Sequence, residues 1–341
     1  MTLTLQIDAR RWRAHQEAFA AQVPGLVPVA KGNGYGFGLG TLAQEAKRLG
    51  AQTLAVGIVQ EVDDVRAGGW EDDIVVLNPW RPSDANATAL LADPQVITTI
   101  SRVEDLRSIA VSHPTARVIV EIETSMHRHG LDPRVLTAAD FGTLWFEGWA
   151  IHLPASGSLA EATELARAAV ATRTGPLWAS HLSVEDYRTF SAAVGVPTHL
   201  RVGTRLWLGD KDAYRTTATV LDVHSIKKGA PLGYHGVPAP KDGFIIVASG
   251  GTAHGVAMAA PVPQRSLKQR AVTVAEGVLD AVGRTLSPYT IGGKKRAFAE
   301  PPHMHSSMLF VPGADPLTKV GDELPVTTRM TTVVADEIRW V

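Results

Sequence analysis

Five polar residues stand at or just past the ends of short apolar runs: Lys31 after LVPVA, Arg128 after RVIVEIE, His152 in FEGWAIHL, Ser180 in GPLWASH and Arg201 in PTHLR. A lysine amine pressed against apolar chain loses hydration, so its pKa falls and the neutral amine can attack an aldehyde to form a Schiff base. Lys31 also leads into a glycine-rich run, KGNGYGFGLG. On position alone a solvated strand-end lysine is the commoner reading, and it is the flanking motif that reverses that preference. Arg128 in a turn and His152 in a core would each, alone, be ordinary structural residues.

The elements that must position these residues follow from hydrophobic periodicity. Eight β-branched or apolar runs, at 26–31, 53–59, 73–79, 95–100, 117–123, 146–153, 175–181 and 197–201, are separated by amphipathic segments such as 40–50 and 157–171. Strands alternating with helices read as βα units, and eight of them over about 200 residues predict a (β/α)8 barrel. A doubly wound open sheet is the rival, with fewer strands as a rule. In a barrel the carboxyl ends of the strands form the active site, which is where the five polar residues fall. After residue 210 the texture changes to short alternating runs punctuated by Gly and Pro, which predicts a smaller, mostly β domain. The expected division is a barrel over 9–210 and a β domain over 211–341, with residues 1–8 pairing into the latter.

Composition narrows the functional classes. The 341 residues carry 33 Lys plus Arg against 34 Asp plus Glu, so no broad basic surface is available to neutralise nucleic-acid phosphates. Zero Cys excludes disulfides, thiolate metal sites and a cysteine nucleophile. Neither a signal peptide nor an uncharged apolar run of about 18 residues is present, and a soluble cytoplasmic protein is the expectation. Only two of ten lysines, Lys31 and Lys47, lie in the first 210 residues, and Lys47 is expected on a helix. His303 and His305 flank Met304 without a third ligand, so they read as structural and no metal site is expected.

VPVAKGNGYGFG resembles the cofactor-lysine motif V-K-A-N/D-A-Y-G-H-G of the bacterial alanine racemases, two-domain fold type III enzymes that use pyridoxal phosphate. It retains Lys31, Asn33, Tyr35, Gly36 and Gly38 and departs at Gly32, Gly34 and Phe37. Further resemblances follow in order: EIETSMHRHG to K-x-D-T-G-M-x-R-x-G, FEGWAIHLP to L-E-G-x-x-T-H-F, LRVGTRLWLG to V-R-P-G-I-A-L-Y-G, PLGYHGVPAP to the V-S-Y-G segment, and VGDELPV to G-D-E-V. The resemblance implies that Lys31 binds pyridoxal phosphate and that Lys31 and Tyr234 are the two bases. Proton transfer at Cα would then run through an external aldimine, with the bases on opposite faces of the cofactor. Arg201 would face the pyridine nitrogen with His152 beside it; Tyr35, Gly203, Thr204 and either Ser180 or Ser183, with Ser180 preferred, would hold the phosphate. Arg128 and the main chain of Met304 would meet the substrate carboxylate. A homodimer with shared active sites is implied, each drawing its lysine and its tyrosine from different subunits. Tyrosine's pKa of about 10 requires a cationic field to make it a base at neutral pH, and Arg201 with His152 is expected to supply it.

Some positions break the pattern. Glu121 stands where many relatives carry a carbamylated lysine, so a carboxylate would orient Arg128 directly. Thr252 replaces an entrance tyrosine and His305 an aspartate, which reshapes the mouth. No Tyr follows 289, so the usual carboxyl-terminal phosphate tyrosine is missing. The alternatives are a racemase of a larger amino acid or a homologue that binds cofactor with little turnover. The basic amino-acid decarboxylases, which share the architecture, use a Cys that this chain lacks.

Overall fold

Runs rich in Val, Ile and Leu become strands where their side chains can be buried on both faces, which is the condition of a parallel sheet wrapped in helices. The computed structural model describes residues 2–138, 141–258, 277 and 285–341. It divides into two compact units, Arg13–Asp210 and Met1–Trp12 together with Lys211–Val341. Strand β1 (Leu3–Ile7) and helix α1 (Ala9–Ala20) open the chain.

The first unit is built on eight parallel strands: β2 (Leu26–Pro28), β3 (Thr53–Val56), β4 (Asp73–Val76), β5 (Val96–Ile100), β6 (Arg117–Ile122), β7 (Trp145–His152), β8 (Leu177–Ser180) and β9 (Thr198–Val202). Between them run α2 (Leu39–Arg48), α3 (Glu61–Ala67), α4 (Ala85–Ala89), α5 (Val103–Ser112), α6 (Leu159–Thr172) and α7 (Val184–Val194), and α8 (Thr204–Trp207) follows β9. The strand order β2-β9-β8-β7-β6-β5-β4-β3 nearly closes the ring. At the remaining seam β2 and β3 are joined by one isolated bridge, Val29 to Ala55. The barrel interior is filled by Val27, Val29, Ala55, Val75, Ile97, Ile119, Ala150 and Trp178, and His199 stacks on Trp178 at 4.2 Å. That packed layer makes the barrel a core rather than a pore. The runs expected to continue to 59 and 79 stop as strands at Val56 and Val76, because the chain then turns into the loops that start the next helices. No helix among the described residues is long and apolar enough to cross a membrane.

The second unit is antiparallel apart from one pairing. Its strands are β1, β10 (Tyr214–Ile226), β11 (Pro231–Leu232), β12 (Val237–Pro238), β13 (Gly243–Ser249), β14 (Leu286–Ile291), β15 (Lys294–Phe298), β16 (Ser306–Pro312), β17 (Glu323–Val326) and β18 (Glu337–Trp340). The long β10 pairs with β1 and β17 along its first half and, after a register shift between Val220 and Asp222, with β13 along its second. Bulges of this kind bend a strand so that a sheet can curl on itself. Here β13-β16-β15-β14-β17-β10 returns to β13, and β1 extends the sheet to a parallel partner, β18.

Candidate active site

Strand side chains alternate with period two, so the residue two places after an inward core residue also points inward. Val29, Ile119, Ala150, Trp178 and His199 form the packed layer, and two places on from them stand Lys31, Glu121, His152, Ser180 and Arg201. The chemistry-bearing layer is therefore the next one up at the carboxyl end of the barrel. Glu121, Ser180 and Arg201 are 3%, 3% and 6% exposed, which sets them apart from solvated strand ends.

Lys31 begins the loop before α2. Lys31 is exposed at the mouth of the barrel, and partial desolvation of its amine, with Arg128 and Arg201 nearby, lowers its pKa below the usual lysine value while Glu61 opposes the shift. Glu61, which sequence reasoning passed over, clamps this loop. One oxygen accepts the Gly32 N–H at 2.6 Å, and the other accepts those of Gly57 at 2.6 Å and Ile58 at 3.2 Å. The carboxylate thus bridges the β2–β3 seam immediately behind Lys31. Its sequence signal, an acid in the first turn of a helix, is the same as that of any dipole-favouring residue.

Past Gly32 the loop holds Gly34 at φ +62°, where a Cβ would come 2.7 Å from the Leu39 nitrogen. Tyr35 itself sits at φ 55°, a costly conformation outside glycine. That backbone carries the buried Tyr35 phenol against Gly203 and Thr204, with a hydrogen bond to the Thr204 side chain. A Cβ on Gly203 would overlap the Tyr35 hydroxyl. Burial pushes the phenol up to about 12, so it stays protonated.

Burial lowers Arg201 to about 10, with Glu121 opposing, so the guanidinium remains charged at neutral pH. One η nitrogen donates to the Ile151 carbonyl at 3.2 Å, while its Nε is buried without a hydrogen-bond partner. Burial raises the Glu121 carboxyl, opposed in turn by Arg201, Arg128 and Arg81. Glu121 has an equally unpartnered Oε2. Its influence on the arginines is thus exerted through charge and not through a direct bond.

Ser180 and His152 are partners in register, with Ser180 Oγ 2.6 Å from His152 Nδ1. Burial, reinforced by Arg201 and Arg128, depresses His152 to about 2. The imidazole is neutral and contributes no positive charge, which corrects the expectation that it shares a cationic field with Arg201. Ser183 instead caps α7 by accepting the Asp186 N–H at 3.0 Å. His181, absent from the sequence roster, stands between these serines at φ +62° with its ring 5.0 Å from that of His152.

Arg128 rides on an exposed loop whose base is closed by hydrogen bonds between Glu123 N–H and the Leu131 carbonyl and between Leu131 N–H and the Glu121 carbonyl. Thr124 Oγ1 donates to the His152 carbonyl at 2.8 Å, and Ser125 is held by Glu161. The second unit holds Tyr234 and Met304, which are 86% and 65% exposed. Tyr289, the last tyrosine, is buried with its hydroxyl donating to the Ser249 and Gly250 carbonyls, so it is a core residue.

A family profile described as "Alanine racemase, N-terminal domain" matches residues 6–191. An alanine racemase of Levilactobacillus brevis is 34% identical over 145 residues, 39% of this chain and 38% of that protein, so the match spans well under half of that relative's length. An amino-acid racemase of Enterococcus faecalis is 28% identical over 137 residues, 39% of this chain and 19% of that one. Among solved structures, alanine racemase from Bartonella henselae with covalently bound pyridoxal phosphate superposes with a TM-score of 0.73 over 100% of both chains at 18% identity, a likeness of fold. With more than half of its length matched by the family profile, the chain belongs to the alanine racemase family.

Proposed function

We propose that the protein is a pyridoxal-phosphate-dependent amino-acid racemase, alanine racemase-like, in which Lys31 and Tyr234 move the Cα proton on opposite faces. The observation that carries the proposal is the inward layer of Lys31, Glu121, His152, Ser180 and Arg201, with Arg201 Nε buried and unpartnered. A buried donor without a partner is costly unless a ligand satisfies it, and a ring nitrogen is a fitting acceptor. The Tyr35 hydroxyl fills the space a Cβ on Gly203 would take, which sets a protonated phenol beside the Gly203 main chain and the Thr204 hydroxyl, a donor set that suits a phosphate. The residues present therefore fit the cofactor. Lys31 would hold its aldehyde carbon; Tyr35, Ser180, Gly203 and Thr204 its phosphate; and Arg201 its ring nitrogen, with His152 alongside.

When bound, pyridoxal phosphate supplies an electron sink that acidifies the substrate Cα–H. Lys31, its pKa lowered by partial desolvation, keeps a neutral fraction whose Nζ accepts or returns a proton on one face. Tyr234 Oη returns or accepts one on the other, so the proton count balances over a turnover. Arg201 retains its own proton and leaves the ring nitrogen unprotonated, which limits side reactions that need charge on the ring. Arg128 and the Met304 main chain would bind the substrate carboxylate. On the family resemblance, in which each site draws its lysine and its tyrosine from different subunits, we further propose a homodimer that shares its sites. Thr252 stands where the family carries an entrance tyrosine and His305 where it carries an aspartate, and on that resemblance side chains larger than methyl would be accepted.

The test is reconstitution with pyridoxal phosphate, then borohydride reduction and peptide mapping, followed by α-proton exchange in deuterated water across the twenty amino acids. Covalent label at Lys31 and exchange with inversion are expected. Release of carbon dioxide would assign a decarboxylase, and cofactor binding without exchange a binding homologue.

A further inference from the structure

Glu300 is 6% exposed, whereas Met304, four residues on, is 65% exposed and Tyr234, brought beside it from 66 residues away, is 86% exposed. A carboxylate is withdrawn from water only where it finds partners. Oε2 accepts the main-chain N–H of Tyr234 at 2.7 Å, and Oε1 lies 2.7 Å from Nε2 of His303. The carboxylate is an acceptor only, so Nε2 is the donating nitrogen of that imidazole. Gly233, at φ +58°, brings the turn before Tyr234 so close that a Cβ there would overlap the carboxylate. The His303 ring lies against the Tyr234 phenol, with centroids 5.0 Å apart and planes at 42°. The main chain of His303 is itself fixed, its N–H donating to the Ser306 carbonyl and its carbonyl accepting from Thr252 N–H, both at 2.9 Å. One buried carboxylate thereby ties the Tyr234 turn to the loop that carries Met304.

We propose that Glu300 and His303 are positioning residues for Tyr234, Glu300 through the main chain and His303 through its ring. The proposal rests on the reading of Tyr234 as the second base. A proton-transfer group on an exposed two-strand turn, packed only on the His303 ring, is weakly held, and a misplacement near 1 Å is enough to lower turnover about a hundredfold. The Glu300 carboxylate supplies the missing restraint from the protein's interior.

Two readouts on the full-length holoenzyme test it. Tyr234 is so exposed that slow exchange of its amide would reflect the bond to Glu300. Hydrogen exchange is expected to show that amide protected at least about tenfold in the unaltered protein, and unprotected in Glu300→Ala, while Ala239, whose N–H donates to Ala230, is unchanged. In turnover, Glu300→Ala is expected to lower kcat about tenfold to a hundredfold with KM within about twofold. The primary isotope effect should rise for one enantiomer of an α-deuterated substrate and not for the other, a one-sided change that general loss of folding does not produce. His303→Ala should keep the amide protected yet show the same one-sided isotope effect. Glu300→Gln, which retains one acceptor, covers the case in which the alanine variant fails to fold and should show smaller changes of the same kind. An unprotected Tyr234 amide in the unaltered protein, or variants with unchanged kcat and isotope effects, would overturn the proposal. Absence of α-proton exchange with every amino acid would overturn the racemase reading instead, and the amide measurement would still decide whether Glu300 holds Tyr234.

Discussion

The Ser180 hydroxyl lies 2.6 Å from Nδ1 of His152, and the two residues are in register across β7 and β8 at the carboxyl end of the barrel. Three residues on, Ser183 caps a helix. Their substitutions should therefore separate cleanly. Ser180→Ala is expected to weaken pyridoxal-phosphate affinity about tenfold, the equivalent of one lost hydrogen bond to a charged group. Ser183→Ala should leave affinity unchanged and lower stability by about 1 kcal/mol. Equilibrium dialysis and denaturant unfolding of both variants provide the check.

His152 gives the protein an acid sensitivity. Its folded pKa, about 2, lies below the unfolded value near 6.5. The unfolded state thus binds the extra proton, and the neutral imidazole's contribution is full above about pH 6.5 and declines as pH falls from there toward the folded value. Unfolding free energy measured at pH 7.5 and pH 5 should fall more for the unaltered protein than for His152→Asn. Equal losses would show that other groups govern the decline.

Glu121 is buried with Arg201, Arg128 and Arg81 within its field. Glu121→Gln keeps the shape and removes the carboxylate, so the buried Arg201 and its more exposed neighbours Arg128 and Arg81 lose a counter-charge. Cofactor affinity and kcat/KM are both expected to drop by about tenfold or more, with carbon dioxide having no restoring effect. Unchanged values would remove any orienting role for this carboxylate.

Gly203 has no room for a side chain because the Tyr35 hydroxyl occupies the Cβ position. Gly203→Ala must displace a phenol that is 6% exposed and bonded to Thr204. A loss of pyridoxal-phosphate affinity of about tenfold to a hundredfold is expected, with Tyr35→Phe giving a smaller loss. Titration of cofactor absorbance reads both.

Glu61 holds three main-chain N–H groups from both sides of the barrel's weakest seam. Removing it leaves the half-buried Gly57 donor and the exposed Gly32 and Ile58 donors to water, at about 0.5–1.5 kcal/mol for each bond to be replaced. Glu61→Ala should lower the unfolding free energy by about 1–3 kcal/mol and slow borohydride-trappable labelling of Lys31, whose loop it fixes. Wild-type labelling kinetics in this variant would confine Glu61 to closing the barrel.

Eight apolar runs at regular spacing made the barrel legible, because burial on both faces of a parallel strand writes itself into the sequence as continuous Val, Ile and Leu. Period two then made the inward layer of Lys31, His152, Ser180 and Arg201 readable from strand ends alone. The sequence also fixed the absence of thiol chemistry and the scarcity of lysine around Lys31. Tertiary structure alone decided the rest. That Glu61 and Glu300 are interior acceptors and not solvated surface acids depends on which loops return beside them, over 29 and 66 residues of chain. That His152 is neutral follows from desolvation of its ring, to which the charges of Arg201 and Arg128 add. Charge state and hydrogen-bond partnership are properties of surroundings brought together in space, and local sequence pattern carries no record of them.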